Sequence, residues 1–273
     1  MSDQVNPFAV TLRATVERAY DAFARYKVSE TLEVCHCNVC MSEETRREII
    51  DTPVRHLRVE AIWEYTNSAH GLPANTDDLK ALMPRYLDII AQDELVDYHG
   101  SGNEMSRFGQ ALKKTPDLFD TEEWQAIEDW YQAALLYFAW EDLHDGAIWT
   151  PMSLFLVILV GGLPVHKAIN GMNVVFDDPI VGDGYFAAFC KTLLSSGALR
   201  KDGLYHFNMY ELQYTELDIL DVLFAWLNGP VLKDRLSALD FSQFSEEDQI
   251  SLSMAFTMFG YFDPTVIKLS PYR

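Results

Sequence analysis

The chain is poor in positive charge, has no long apolar run and carries no catalytic signature. Lys and Arg together number 21 against 41 Asp and Glu, a formal net charge of −20. That balance repels the phosphates of nucleic acid and of anionic lipid surfaces, and it attracts basic proteins or cations. The strongest apolar run, Met152 to Val160, stops at Gly161-Gly162. It is about half the ~20 residues a membrane-spanning helix needs, so it reads as a buried core helix and no membrane association is expected. The start, MSDQVNPFAV, has no basic segment followed by an apolar stretch, and no secretory signal is visible. No GxGxxG, Walker A, GxSxG or HExxH pattern occurs, and no serine sits in a recognisable nucleophile elbow. Neither an enzymatic activity nor a cofactor is expected. Cysteine is scarce as well, with three of the four crowded at Cys35, Cys37 and Cys40. Without a secretory signal, such crowding suggests reduced thiols in a cytoplasm rather than a disulfide framework.

What is present is enough apolar material for a substantial core. A hydrophobic share of 49% with 13% aromatics excludes a disordered chain, and 273 residues suit one large domain or two modest ones. Apolar residues recur at three and four along most of the sequence, which predicts helices. These run over about 8–26, after Ser42, from Thr52-Pro53 to Asn67, over 77–94 with Pro84 as a possible start or kink, and over 104–112. Further helices are expected over 150–170 and near 185–195, 216–227, 231–239 and 246–260. Alternating patterns are scarce, and Val174 to Phe176 with Leu204 to Phe207 supply one small hairpin at most. The expectation is an all-α, irregular multi-helix bundle or array around a central helix at about 121–143. The loop-like passage NGMNVVFDDPIVGDG suggests a boundary between a helical domain at 1–170 and a C-terminal helical subdomain at 171–273, packed on the first.

The stretch Thr121 to Asp145 organises the rest. Spaced as a helix, Trp124, Ile127, Tyr131, Ala134, Leu135 and Phe138 form one apolar face, and Ala126, Trp130, Ala133, Tyr137 and Trp140 form another. A helix apolar on two faces needs neighbours on two sides. Asp120 and Glu123 make a capping pair at its start.

The placement of the acids says more than their number. No Lys or Arg occurs from Thr115 to His166, while Asp117, Asp120, Glu122, Glu123, Glu128, Asp129, Glu141, Asp142 and Asp145 all lie there. Those at the helix start are favoured by the helix dipole and need no further reason. Glu141, Asp142 and Asp145 stand at the opposite end, where an exposed carboxylate is disfavoured by ~0.3–1 kcal/mol. A local rule broken without local benefit points to function. These three are the residues expected to meet a partner, with Glu128, Asp129 and Asp117 extending the acidic surface. The competing reading is an Arg folded over them from elsewhere in the chain. Trp124, Trp149 and Tyr205 are possible aromatic anchors beside the acids, Trp124 being better placed for the core.

Two constellations resemble metal chemistry. Cys35, His36, Cys37 and Cys40 put four soft donors into six residues, but zinc needs four donors in a tetrahedron, and no second pair completes the Cys37-x-x-Cys40 half. A small dense loop packed under the first helix is the favoured reading, with metal binding second. Glu141-x-x-His144 and Glu33-x-x-His36 have the spacing of helical di-iron ligands, without supporting glutamates at matching positions.

The phrases LEVCHCNVCM, TPVRHLRVEAIWEYTNSAHG and LMPRYLDIIAQDE, in that order, resemble a family of helical bacterial immunity proteins paired with type VI secretion toxins. The resemblance covers about 32–145, carries no catalytic positions, and does not extend to the half from Thr150 on. It implies a cytoplasmic protein that binds and silences a delivered toxin, notably a nuclease. The charge agrees, because a nuclease cleft is basic and an acidic surface can fill it. The alternatives are a zinc- or iron-binding helical enzyme built on Cys35–Cys40, and a helical adaptor with no toxin partner.

Overall fold

The computed structural model describes residues 5–32, 34–35, 37, 40–69, 76–96, 105–199, 205–207 and 217–260. They form two compact units, Met1–Leu163 and Pro164–Arg273. The division falls at the Leu163/Pro164 step, ahead of the loop-like passage expected to hold it.

In the first unit α1 (Ala9–Ala22), α2 (Glu43–Asp51) and α3 (Val59–Asn67) are followed by α4 (Thr76–Ala91), α5 (Ser106–Lys114), α6 (Thr121–His144) and α7 (Pro151–Val160). α6 packs along α1 on one side and against α7 on another, and α1 also contacts α4. This is the two-sided burial that the two apolar faces of α6 require. Trp130, Tyr131 and Phe138 are fully buried along it, and removing one such ring costs about 3–5 kcal/mol.

Local chemistry sets the ends of these helices. Asp120 accepts from the backbone N–H groups of Glu122 and Glu123, and Glu123 returns a bond to the Asp120 N–H, closing a capping box. Thr150 caps α7 ahead of Pro151, whose missing N–H is harmless at the first helical position. α7 stops at Gly161-Gly162, where the chains touch directly. A Cβ on Gly109 of α5 would lie 2.1 Å from the Val160 carbonyl oxygen, so only glycine allows α5 and α7 to approach this closely.

Three details differ from the sequence expectation. α4 runs unbroken through buried Pro84, neither starting nor ending there; packing on both sides holds it despite the lost N–H. Thr52-Pro53 opens only a one-turn 3-10 helix, Val54–His56, and α3 starts afresh at Val59. α1 ends at Ala22, and turns carry the chain on.

The second unit contains α8 (Val165–Asp177), α9 (Gly182–Ser196), α10 (Leu217–Asn228), α11 (Pro230–Ala238) and α12 (Glu246–Met258). α9 packs between α8 and α12. Val174 to Phe176 lie in α8, because Ala168, Met172, Val175 and Phe176 bury one helical stripe. A single antiparallel hairpin does form, but it pairs β1 (Gly197–Leu199) with β2 (Tyr205–Phe207), in the register Gly197 to Phe207. The molecule is all-α apart from this ribbon among the described residues.

Candidate functional site

α1 runs antiparallel to α6, as three sets of contacts show. Arg25 meets Asp120 and Glu123, Arg18 pairs with Asp129 at 3.3 Å, and Asn6 reaches the last turn of α6. Along this seam the acids of α6 meet very different fates.

At the start of α6, Glu123 is completely buried. Its carboxylate accepts from Arg25 at 2.6 Å and lies 3.3 Å from the Lys80 ammonium. Lys80 donates to the Tyr26 hydroxyl at 3.0 Å. The Arg25 guanidinium beside Asp120, together with the capping N–H groups, holds that carboxyl below its ordinary range. Further along, Asp129, expected to extend the acidic surface, pairs with Arg18. Glu128 is half-buried and also engaged, and Asp117 lies exposed ahead of the helix.

The far end has no such pairing: the cation that acts there, Arg13, is felt by the Tyr137 phenol. Among the described residues no Lys or Arg forms an ion pair with Glu141, Asp142 or Asp145. Glu141 accepts from a neutral donor, Asn6 Nδ2 at 2.7 Å. Burial raises the Tyr137 phenol, and the charges of Glu141 and Asp93 raise it further. Asp142 is half-buried and its carboxyl is raised by burial alone. Asp145, the C-cap, is exposed, and Gly146 turns the chain away at φ +78.

Two apolar side chains stand among these acids. Leu143 is 38% exposed and Ile148 56%. Trp140 stacks on His144 with ring centres 3.8 Å apart. The loop carrying Ile148 is fixed from beneath, since Asp93 accepts from the N–H groups of Ile148 (3.1 Å) and Trp149 (3.0 Å). Trp149 itself is buried, with its indole N–H on the Glu94 carbonyl, which removes it as an exposed anchor. Trp124 is half-buried and packs edge-on against Phe119. The side chain of Tyr205 lies outside the described residues.

The six sequence-predicted acids therefore do not converge. At about 1.5 Å per residue, Asp129 and Glu141 are separated by roughly 18 Å along the helix. Only Glu141, Asp142 and Asp145 share one end. Leu143, Ile148, Asn6 and Asp93 escaped the sequence reading. The signal for Leu143 was there, an apolar residue between Asp142 and Asp145 that belongs to neither buried face.

The thiols form the second cluster. Cys35, Cys37 and Cys40 bring their sulfur atoms within 4.8 Å of one another, the only group of three or more metal donors so placed among the described residues. Glu141-x-x-His144 joins no such group, and His36 and Glu33 lie outside the described residues. The expectation was a dense loop packed under α1, but the thiols are not what is buried. Leu32, Val34 and Met41 are the buried anchors, whereas Cys37 is exposed and Cys35 and Cys40 are half-exposed. One backbone and one side-chain bond tie it to the end of α3: the Cys35 N–H donates to the Ala69 carbonyl, and the Ser68 hydroxyl to the Cys40 carbonyl. The Ser68 carbonyl in turn accepts from Arg107, which is buried over the Tyr65 ring with Nε and Nη1 lacking a hydrogen-bond partner among the described residues.

A groove of about 470 Å³ lies between the ends of α1 and α2 and the middle of α4, lined by Tyr20, Lys27, Asp51 and Arg55 among others. None of the three acids or the three thiols lines it, and it holds no His or Cys for nucleophilic or metal chemistry. No described helix is long and apolar enough to cross a membrane. No family model, curated protein or solved structure matches the chain.

Proposed function

We propose that this chain is an immunity protein: it binds a basic toxin, a nuclease delivered by a type VI secretion system, and neutralises it through the C-terminal end of α6. The observation that carries the reading is the contrast along one helix. Glu141, Asp142 and Asp145 have no cation from the described residues, although arginines of α1 match the acids further back. Carboxylates left without counter-ions at a helix C-terminus bear a standing electrostatic penalty, and a cationic partner relieves it on binding. Leu143 and Ile148 add apolar area inside the charged rim, the arrangement in which a few desolvated side chains carry most of the binding energy. The acidic field steers a basic partner to this end and keeps the partner's polyanionic substrate away.

Co-expression with the neighbouring reading frame tests the role, and a charge reversal tests the surface. The neighbour should be toxic alone and harmless beside this chain. Glu141→Lys, Asp142→Lys and Asp145→Lys together should slow association and weaken binding by at least tenfold at low salt, with helicity unchanged. A neighbour that is harmless alone returns the chain to the class of helical adaptors. Rescue without any loss in the triple variant puts the contact elsewhere on the molecule.

A further inference from the structure

We propose that Cys35, Cys37 and Cys40 form a binding site for a thiophilic metal ion, Zn(II) being the species that fits best. Zinc holds thiolate sulfur at about 2.3 Å, which sets sulfur–sulfur separations near 3.8 Å in a tetrahedral shell. The three sulfur atoms lie within 4.8 Å of one another, with Cys35 and Cys37 3.2 Å apart. Small side-chain rotations therefore bring all three onto one ion. Soft thiolate donors select zinc over calcium or magnesium.

Two further features favour a site over three incidental thiols. The loop is fixed by groups other than the cysteines: Leu32, Val34 and Met41 anchor it in the core, and Ser68 and Ala69 hold its backbone. The sulfur atoms are thus left facing outward and together, with no packing role to explain their placement. The second feature is electrostatic. Three thiolates on a divalent ion carry a net charge of −1, and the cation of buried Arg107 bonds the Ser68 carbonyl, in the same short segment that ties down Cys35 and Cys40. Arg107 has no carboxylate partner among the described residues, and a buried cation without one is expensive. A metal–thiolate centre adds negative charge to the loop that this segment holds. On binding, each thiol gives its proton to solvent as its sulfur ligates the ion. No His, Asp or Glu of the described residues joins the group, so these residues supply three of the four donors that zinc takes. The bound ion adds to the bonds that hold the loop to the end of α3.

The reduced, chelator-stripped full-length chain, titrated anaerobically with Co(II) and then Zn(II), tests this directly. One equivalent of Co(II) should produce thiolate-to-cobalt charge-transfer absorption, and Zn(II) should bleach it. Cys37→Ser and Cys40→Ser should each weaken Zn(II) binding by more than about a hundredfold, beyond the 10–100-fold that even supporting residues command. Cys190→Ser should not alter it, because Cys190 is buried in the other unit. Should a serine variant lose helicity, alkylation of the native chain decides instead: Zn(II) should protect Cys35, Cys37 and Cys40 together. Absent charge-transfer bands on the folded reduced chain, unchanged affinity in the Cys37 variant, or equal alkylation with and without Zn(II) would each overturn the site.

Discussion

The two ends of α6 carry similar numbers of carboxylates and treat them in opposite ways. At the start, Glu123 is buried and shared between Arg25 and Lys80, while Asp120 caps the helix and pairs with Arg25. At the finish, Glu141, Asp142 and Asp145 receive only neutral donors or none. The first arrangement stabilises the fold: it satisfies the helix N–H groups, agrees with the dipole and fastens α1 to α6. The second contributes nothing comparable and opposes the dipole. A composition of −20 therefore contains two kinds of negative charge, one consumed inside the chain and one without a counter-ion among the described residues.

Removing the internal kind should have the largest effect. Glu123→Gln strands Lys80, only 13% exposed at its side chain, and should lower unfolding free energy by about 3 kcal/mol. That is the low edge of what breaking a buried pair costs, because Arg25 is half exposed and can turn to water. Urea denaturation at neutral pH measures it; a loss below that of an ordinary surface change would erase the distinction between the ends. Neutralising the other end should do the reverse. Glu141→Gln, Asp142→Asn and Asp145→Asn together should leave stability unchanged or raise it by up to about 1 kcal/mol, in the same assay.

The smallest effect is in the pH dependence, where the ends should differ in sign. Asp120 is depressed, so its contribution is present above the ordinary aspartate pKa of about 3.9 and is lost as pH falls through its lower folded value. Asp142 is raised, so the folded chain takes up its proton first, and stability gains as pH falls from its folded value towards the ordinary one. Asp120→Asn should flatten the acid-side loss and Asp142→Asn should remove the gain, both read from stability measured across mildly acidic pH. Shifts of the same sign would mean the two carboxylates see equivalent surroundings.

The legible parts of the fold were those set by near neighbours in sequence. Asp120 with Glu123, Thr150 with Pro151, and Ser245 ahead of Glu246 to Asp248 are caps made within one turn, and they placed α6, α7 and the start of α12. The two apolar faces of α6 announced its two-sided burial. What stayed hidden was set by residues far apart. Arg18 and Asn6 reach α6 from more than a hundred residues away, so no local pattern could show that Asp129 is matched and Glu141 is met only by an amide. Val174 to Phe176 looked like a strand because three β-favouring side chains stand together, yet they lie in α8, which packs against α9 and α10, with Val175 and Phe176 buried and Val174 facing outward. The thiol cluster was legible as spacing but not as geometry. Its sulfur atoms face outward because Leu32, Val34 and Met41, rather than the cysteines, take the buried positions.

Asp93 adopts a left-handed backbone, φ 59, uncommon for anything but glycine or its near relatives, and its carboxylate clasps the two amides at Ile148 and Trp149. The path of that loop is thereby dictated from another helix's end rather than by the loop's own outward side chains. Ile148 is consequently a position where a change of size or polarity leaves the backbone beneath in place. The outward surface of the loop and the stability of the fold are thus set by different residues.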